Sequence, residues 1–187
     1  PTVGSIFNIN HVADGEFQLG IAQSDIISKA WSGKAPFKTP MKDLRSILAL
    51  FTETITLVAR RDAGIKTLAD IKGKRINLGK HGSGAERTSR DLMDACGLVA
   101  GDLATVHNLG AQEAAEALRQ NRLDALFYVV GHPNEKIWNL SSVMEIDFVE
   151  LSGSCLELLV DTNPHYVTTF VPGEQYRGGS GDVPTLG

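Results

Sequence analysis

Short apolar runs alternate along this chain with stretches whose apolar residues recur every three to four positions. That alternation predicts an α/β protein. Phe17–Gln23 ("FQLGIAQ") reads as a strand, and Ser24 and Asp25 after it are placed to cap a short helix ending near Gly33. Ala35–Met41 holds Pro36 and Pro40 and reads as a loop. Leu44–Arg61 is long, rich in β-branched residues, and predicts two strands. Thr67–Gly73 predicts a brief helix closed by glycine, and Arg75–Gly79 a strand. Ser83–Cys96 predicts a helix, with Ala85, Ser89 and Met93 on one stripe and Thr88, Leu92 and Cys96 beside it. Thr105–Leu109 is a weak strand, Ala111–Asn121 an Ala-rich helix, and Leu123–Val130 a strand apolar on both faces. Residues 67–130 therefore read as a βαβαβ unit with parallel strands, and residues 1–60 as part of another. Pro172–Gly187, with five Gly and two Pro, reads as a long connection.

Composition narrows the classes. The 187 residues carry 18 Lys+Arg and 22 Asp+Glu, a net charge of -4, so no basic stripe marks a nucleic-acid partner. Hydrophobic residues make up 42%, enough for a packed core. No apolar run approaches the roughly 20 residues that cross a bilayer. Residue 1 is Pro, no signal peptide is visible, and the last residues stop as an apolar pattern resumes. A fragment or a processed chain is the expectation. Cys96 and Cys155 have two readings, a disulfide or two small buried thiols; both lie in apolar patterns, which favours buried thiols.

The most informative stretch is "NLGKHGSGAERTSRDL", Asn77–Leu92. A strand runs into a Gly-rich turn, and a helix starts near Ser83. Unpaired N–H groups at a helix start, Ser83 as a hydroxyl donor and Arg87 one turn on suit a carboxylate or phosphate. The spacing is neither a P-loop nor a dinucleotide fingerprint. The plain alternative is a strand-to-helix turn that Ser83 merely caps. Gln23, Ser24 and Asp25 end a predicted parallel strand, where open α/β sheets bind ligands, though a helix cap explains them as well. Tyr128–Pro133 ends another: Tyr128 is placed to stack on a ligand and His132 to donate, or they are a core Tyr and a turn His. The five His show no metal-ligand spacing. "SGSCLE" around Cys155 is no nucleophile elbow, and no carboxylate pair is spaced for acid–base work.

The strings "GSIFNINHVADGEFQLGIAQSD", "VARRDAGIKTLADIKGKRINLGKHGSG" and "DALFYVVGHPN", with "VPGEQYRG" and "DVPTLG", resemble the TAXI family of solute receptors for TRAP transporters. The resemblance covers essentially the whole chain, in family order. It implies a two-lobe, type II periplasmic-binding-protein-like α/β fold with a ligand cleft between open sheets that carry helices on both faces. It implies a periplasmic receptor, not an enzyme, with no cofactor and with no residue of this chain assigned as a metal ligand. Such a receptor passes a small carboxylate such as glutamate, glutamine or 2-oxoglutarate to a TRAP membrane permease. The expected division is 1–58 for an incomplete lobe 1, 59–168 for lobe 2, and 169–187 for a truncated return toward lobe 1. Carried over residue by residue, the ligand contacts are Ser5, Asn8, Gln23, Ser24, Ser83, Gly84, Arg87, Tyr128, Gly131 and His132, with Glu53 and Thr54 near the interlobe crossing. Ser5 and Asn8 rest on the resemblance alone. The rival readings are an effector-binding domain of a transcription regulator with the same fold, and an enzyme built on it.

Overall fold

The computed structural model describes residues 2–187. Two helices lead: α1 is Ser5–Ala13 and α2 is Ser24–Ser32, closed by Gly33 in the left-handed region. Residues 54–187 carry everything else. Strand β1 (Thr54–Arg60) is followed by β2 (Arg75–Asn77), α3 (Gly84–Ala95), β3 (Thr105–His107), α4 (Ala111–Arg119) and β4 (Ala125–Val130). Helix α5 (Glu135–Val143), strand β5 (Ile146–Val149), helix α6 (Ser154–Thr162) and strands β6 (Thr168–Pro172) and β7 (Asp182–Leu186) complete the chain.

The main sheet has the order β3-β2-β4-β1-β5. Strands β2, β3 and β4 run parallel, with Ile76 opposite both Val106 and Ala125. The βαβαβ unit expected from the alternation over 67–130 is therefore present. Strand β1 is antiparallel to both neighbours, with Leu57 opposite Phe127 and Val149. Side chains alternate across the sheet as the pleat requires. Ile55, Leu57, Ala125 and Phe127 pack with Leu92 and Met93 of α3 and Leu156 of α6. Val58 and Leu126 pack on the other face with Ala114, Leu118, Ile137 and Leu140 of α4 and α5.

Four expectations need correction. Phe17–Gln23 is not a strand: no neighbouring strand takes its N–H and C=O groups, and it crosses α1, where Asn8 Nδ2 donates to the Ile21 carbonyl at 2.8 Å. Leu44–Arg61 holds one strand, not two, because only Thr54 onward meets paired backbone. Pro172–Gly187 is not a plain connection. Its glycines make the turn of a hairpin in which β7 pairs with β6, and Val171 and Leu186 enter the two cores. The buried-thiol reading also fails: Cys96 and Cys155 form a disulfide that ties the end of α3 to the start of α6. Both half-cystines pack against the core, so apolar surroundings alone did not separate the two readings.

Candidate functional site

Two glycines shape the turn between β2 and α3. Gly79 has φ +106°, and a Cβ there would stand 2.9 Å from the Glu86 nitrogen. At Gly84 the reason is space: a side chain would overlap Gln23 Oε1 and stand 2.8 Å from Ser5 Oγ. Ser83 is the N-cap of α3, its Oγ accepting from the Glu86 N–H at 3.1 Å. Glu86 accepts in turn from the Gly82 N–H at 2.9 Å and from Arg90 at 3.0 Å. Burial pushes the Glu86 carboxyl up, but the Gly82 donor and Arg90 outweigh it and hold it below the usual carboxylate range. The S-x-x-E pattern of a capping pair stands in the sequence at 83–86.

The leading helices close onto this turn. The Gln23 N–H donates to Ser5 Oγ at 3.1 Å, and the Ser5 hydroxyl faces Gln23 Oε1 at 3.4 Å. Ser5, Gln23, Ser83 and Gly84 thus meet where α3 presents its unpaired N–H groups and positive dipole end.

The other candidates stand apart. Asn8 is tied to the Ile21 carbonyl, and Ser24 is exposed on α2. Arg87 turns along its own helix, with Nη2 2.5 Å from Asp91 Oδ1. Gly131 faces the Phe51 ring, 3.7 Å from a Cβ position. His132 bridges Thr56 Oγ1 at 2.8 Å and the Tyr176 hydroxyl at 2.5 Å, which occupies both ring nitrogens. Burial depresses its pKa, which favours the neutral ring. Thr54 is buried opposite Val130, while burial and then Asp25 push the Glu53 carboxyl up.

A polar seam joins α2 to α3. Lys29 pairs with Asp91, which also holds Arg87. Asp25 is 5% exposed and accepts from the Ile26 N–H at 2.8 Å, the Tyr166 hydroxyl at 3.2 Å and the Thr88 hydroxyl at 3.4 Å. Burial raises its pKa, with Lys29 opposing. Burial and then the Asp25 charge raise that of Tyr166. Tyr166 lies 141 residues from Asp25, and no local pattern announces that partnership.

Beside the turn a recess of about 210 Å³ opens between the sheet and helices α4 and α5. Asn77, Gly79, Ser83 and Tyr128 line it from the carboxyl ends of β2 and β4, and Val3 reaches it from the N-terminal segment. Asn77 is spent on the Leu109 backbone, accepting at 2.7 Å. Burial raises the pKa of Tyr128. Lys80 and Lys136 also line the recess, and no motif had singled them out. Among the described residues no three His, Cys, Asp or Glu are placed to hold a metal ion, and no helix is long and apolar enough to cross a membrane.

A mixed sheet covered on both faces, with a polar turn at the carboxyl end of β2 closed over by leading helices, is an α/β arrangement similar to the type II periplasmic-binding-protein fold. The NMT1-like family profile matches residues 1–187, and the chain belongs to that family. The GluR0 ligand-binding core from Nostoc punctiforme, in complex with L-glutamate, is 15% identical. That match covers 95% of this chain and 62% of that one, with a TM-score of 0.50. The alkanesulfonate-binding protein SsuA from Xanthomonas axonopodis pv. citri, bound to MOPS, is 21% identical over 79% of this chain and 47% of its own, with a TM-score of 0.51. An amino acid ABC transporter substrate-binding protein, AbpA from Streptococcus pneumoniae, bound to L-arginine, is 14% identical over 78% and 54%, also at 0.51. This chain spans about half the length of the solved structures it matches.

Proposed function

We propose that this chain is the binding part of an exported solute receptor of the TAXI class. It holds a small carboxylate between residues 2–53 and the β2–α3 turn, for delivery to a TRAP membrane permease. The observation that carries this reading is the convergence of Ser5 and Gln23 from one side on Ser83 and Gly84 from the other. Helix α3 supplies backbone donors there, and the absence of a side chain at Gly84 lets Gln23 and Ser5 pack close to them. Ser5, Gln23, Ser83, Gly84 and Tyr128 are the contacts we assign. Asn8, Ser24, Arg87, Gly131 and His132 lie outside this group, held by other partners or exposed. Membership of the NMT1-like family and the shared fold support the receptor class. The Cys96–Cys155 disulfide supports an oxidising, extracytoplasmic setting and weighs against a cytoplasmic effector sensor.

The test is a thermal-shift screen of the protein against amino acids, 2-oxo acids and dicarboxylates, with glutamate, glutamine and 2-oxoglutarate first. A cognate solute at 100 times its Kd stabilises the fold by about 2.7 kcal/mol. The same solutes should be recovered chemically unchanged. Turnover of any of them would replace the receptor reading with an enzymatic one.

A further inference from the structure

The recess has a chemistry that the β2–α3 turn lacks. Its walls are Ala114 and Ala115 of α4, Leu126 of β4, and Ile137 and Leu140 of α5. At about 210 Å³ it is smaller than the roughly 300–1,000 Å³ of pockets for drug-sized ligands, so it suits a short chain. Among the described residues the Tyr128 hydroxyl and the Lys80 and Lys136 ammonium groups line it without a protein hydrogen bond or ion pair, while Asn77 is already satisfied. Both lysines are exposed and Tyr128 is half-buried, so the charge sits at the mouth; the α4 and α5 walls are apolar, and the buried Asn77 and Ser83 line the recess from the β2–α3 turn.

We propose that this recess takes the apolar tail of a small amphipathic monocarboxylate, whose carboxylate stays at the mouth with Lys80, Lys136 and the Tyr128 hydroxyl. The proposal rests on the solute-receptor reading, narrows its ligand class to monocarboxylates, and places the carboxylate at the recess mouth beside the β2–α3 turn rather than on the turn itself. A second carboxylate carried against the α4 and α5 walls would lie among Ala, Leu and Ile side chains, which offer it no side-chain donor and make its burial unfavourable. A methyl group there gains from burial instead. Each methylene carried into the recess should tighten binding about fourfold until the space is full.

Calorimetric titration of the whole chain with butanoate, pentanoate and hexanoate, and with glutarate, tests this. Pentanoate and glutarate have equal chain length and differ only in the terminal group, methyl against carboxylate. The expected result is affinity rising along the monocarboxylates and glutarate at least tenfold weaker than pentanoate. Ala115→Leu, which narrows the recess, should move the optimum to shorter tails. Leu140→Ala, which widens it, should move the optimum to longer ones, so one variant serves if the other does not fold. Lys80→Gln with Lys136→Gln should weaken every member of the series and leave the melting temperature of the free protein unchanged. Glutarate binding as tightly as pentanoate, or folded recess variants binding all ligands like the parent, overturns the proposal and leaves the receptor reading standing. If no carboxylate, amino acid or 2-oxo acid binds at all, the receptor reading falls and this proposal with it.

Discussion

Residues 54–187 and residues 2–53 use similar amino acids and reach different ends. In the first region the apolar positions of β1 and β4 face each other across a sheet and are almost fully buried, Phe127 at 1% exposure. In the second, Leu19, Ile21, Ile47, Leu48, Leu50 and Phe51 are 59–72% exposed, and the shared core is Ile9, Ile26, Ala30 and Phe37. An alternating or β-branched pattern becomes a strand only where a neighbouring backbone satisfies its N–H and C=O groups. Strand β1 has β4 on one side and β5 on the other. Residues 17–23 and 44–53 have no strand beside them among the described residues.

The largest expected consequence is in local stability. Amides of β1 and β4 should exchange only through global opening, about 5–15 kcal/mol for a domain, while those of residues 18–22 and 45–53 exchange near the unprotected rate. Hydrogen exchange read by mass spectrometry makes the contrast directly. Comparable protection in the two regions would mean that the leading segment has a core of its own.

Next in size is the disulfide, which belongs to the sheet region alone. Cys96 and Cys155 are 59 residues apart, so the bridge restrains a long loop of the unfolded chain. Reducing it, or replacing both cysteines by alanine, should cost about 2–4 kcal/mol in denaturant melts. Binding at low temperature should persist, since α3 keeps its start and loses only its tether. An unchanged midpoint would show that packing of α3 on α6 already supplies the restraint.

The seam between the regions responds to pH. The pKa of Asp25 is raised by burial in the folded protein, above its ordinary value of about 3.9. Its contribution is therefore fully present below that ordinary value and is lost as pH rises through the folded pKa. Lys29, Asp91, Glu53 and Tyr166 face the same seam; Lys29 opposes the rise at Asp25, and Asp91 reinforces it. Asp25→Asn should be more stable than the parent at pH 7.5, with the gap shrinking at pH 4.5. A gap independent of pH would mean that the carboxyl ionises in place without cost.

How much of this was legible follows the reach of each signal. Elements whose pattern is local could be read, down to the parallel order of β2, β3 and β4 and the turn at 79–84 that precedes α3. The convergence of Ser5 and Gln23 on Ser83 and Gly84 joins residues some 60 to 80 positions apart. It was anticipated from family resemblance and from strand ends, not from periodicity. The hairpin of β6 and β7 was hidden because a Gly-rich turn and Pro184 mask strand character. Lys80 and Lys136 were hidden because an exposed lysine has no pattern of its own. His132 is the opposite case: its position at a strand end suggested a ligand, and in the structure its nitrogens meet Thr56 and Tyr176.

Arg87 carries the smallest prediction, and the one that separates seam from site. From sequence alone its guanidinium, one turn into α3, was a second clamp for a carboxylate; removing such a charge-assisted contact costs roughly 1.5–3 kcal/mol, or one to two decades in affinity. In the structure Arg87 instead meets Asp91, four residues along the same helix. Pairs at that spacing contribute about 0.2–0.5 kcal/mol on an exposed helix. Loss of Arg87 leaves Asp91 still paired with Lys29, so no buried charge is stranded. Arg87→Ala should therefore change solute affinity by less than about threefold and lower stability only slightly. Ser83→Ala removes the α3 cap and one hydroxyl from the turn, and should cost about 0.5–2 kcal/mol of stability. Titrating both variants with the solute found in the screen decides the matter. A loss of ten- to a hundredfold in Arg87→Ala would mean that the guanidinium leaves Asp91 when a carboxylate arrives, and that the seam with α2 is remade on binding.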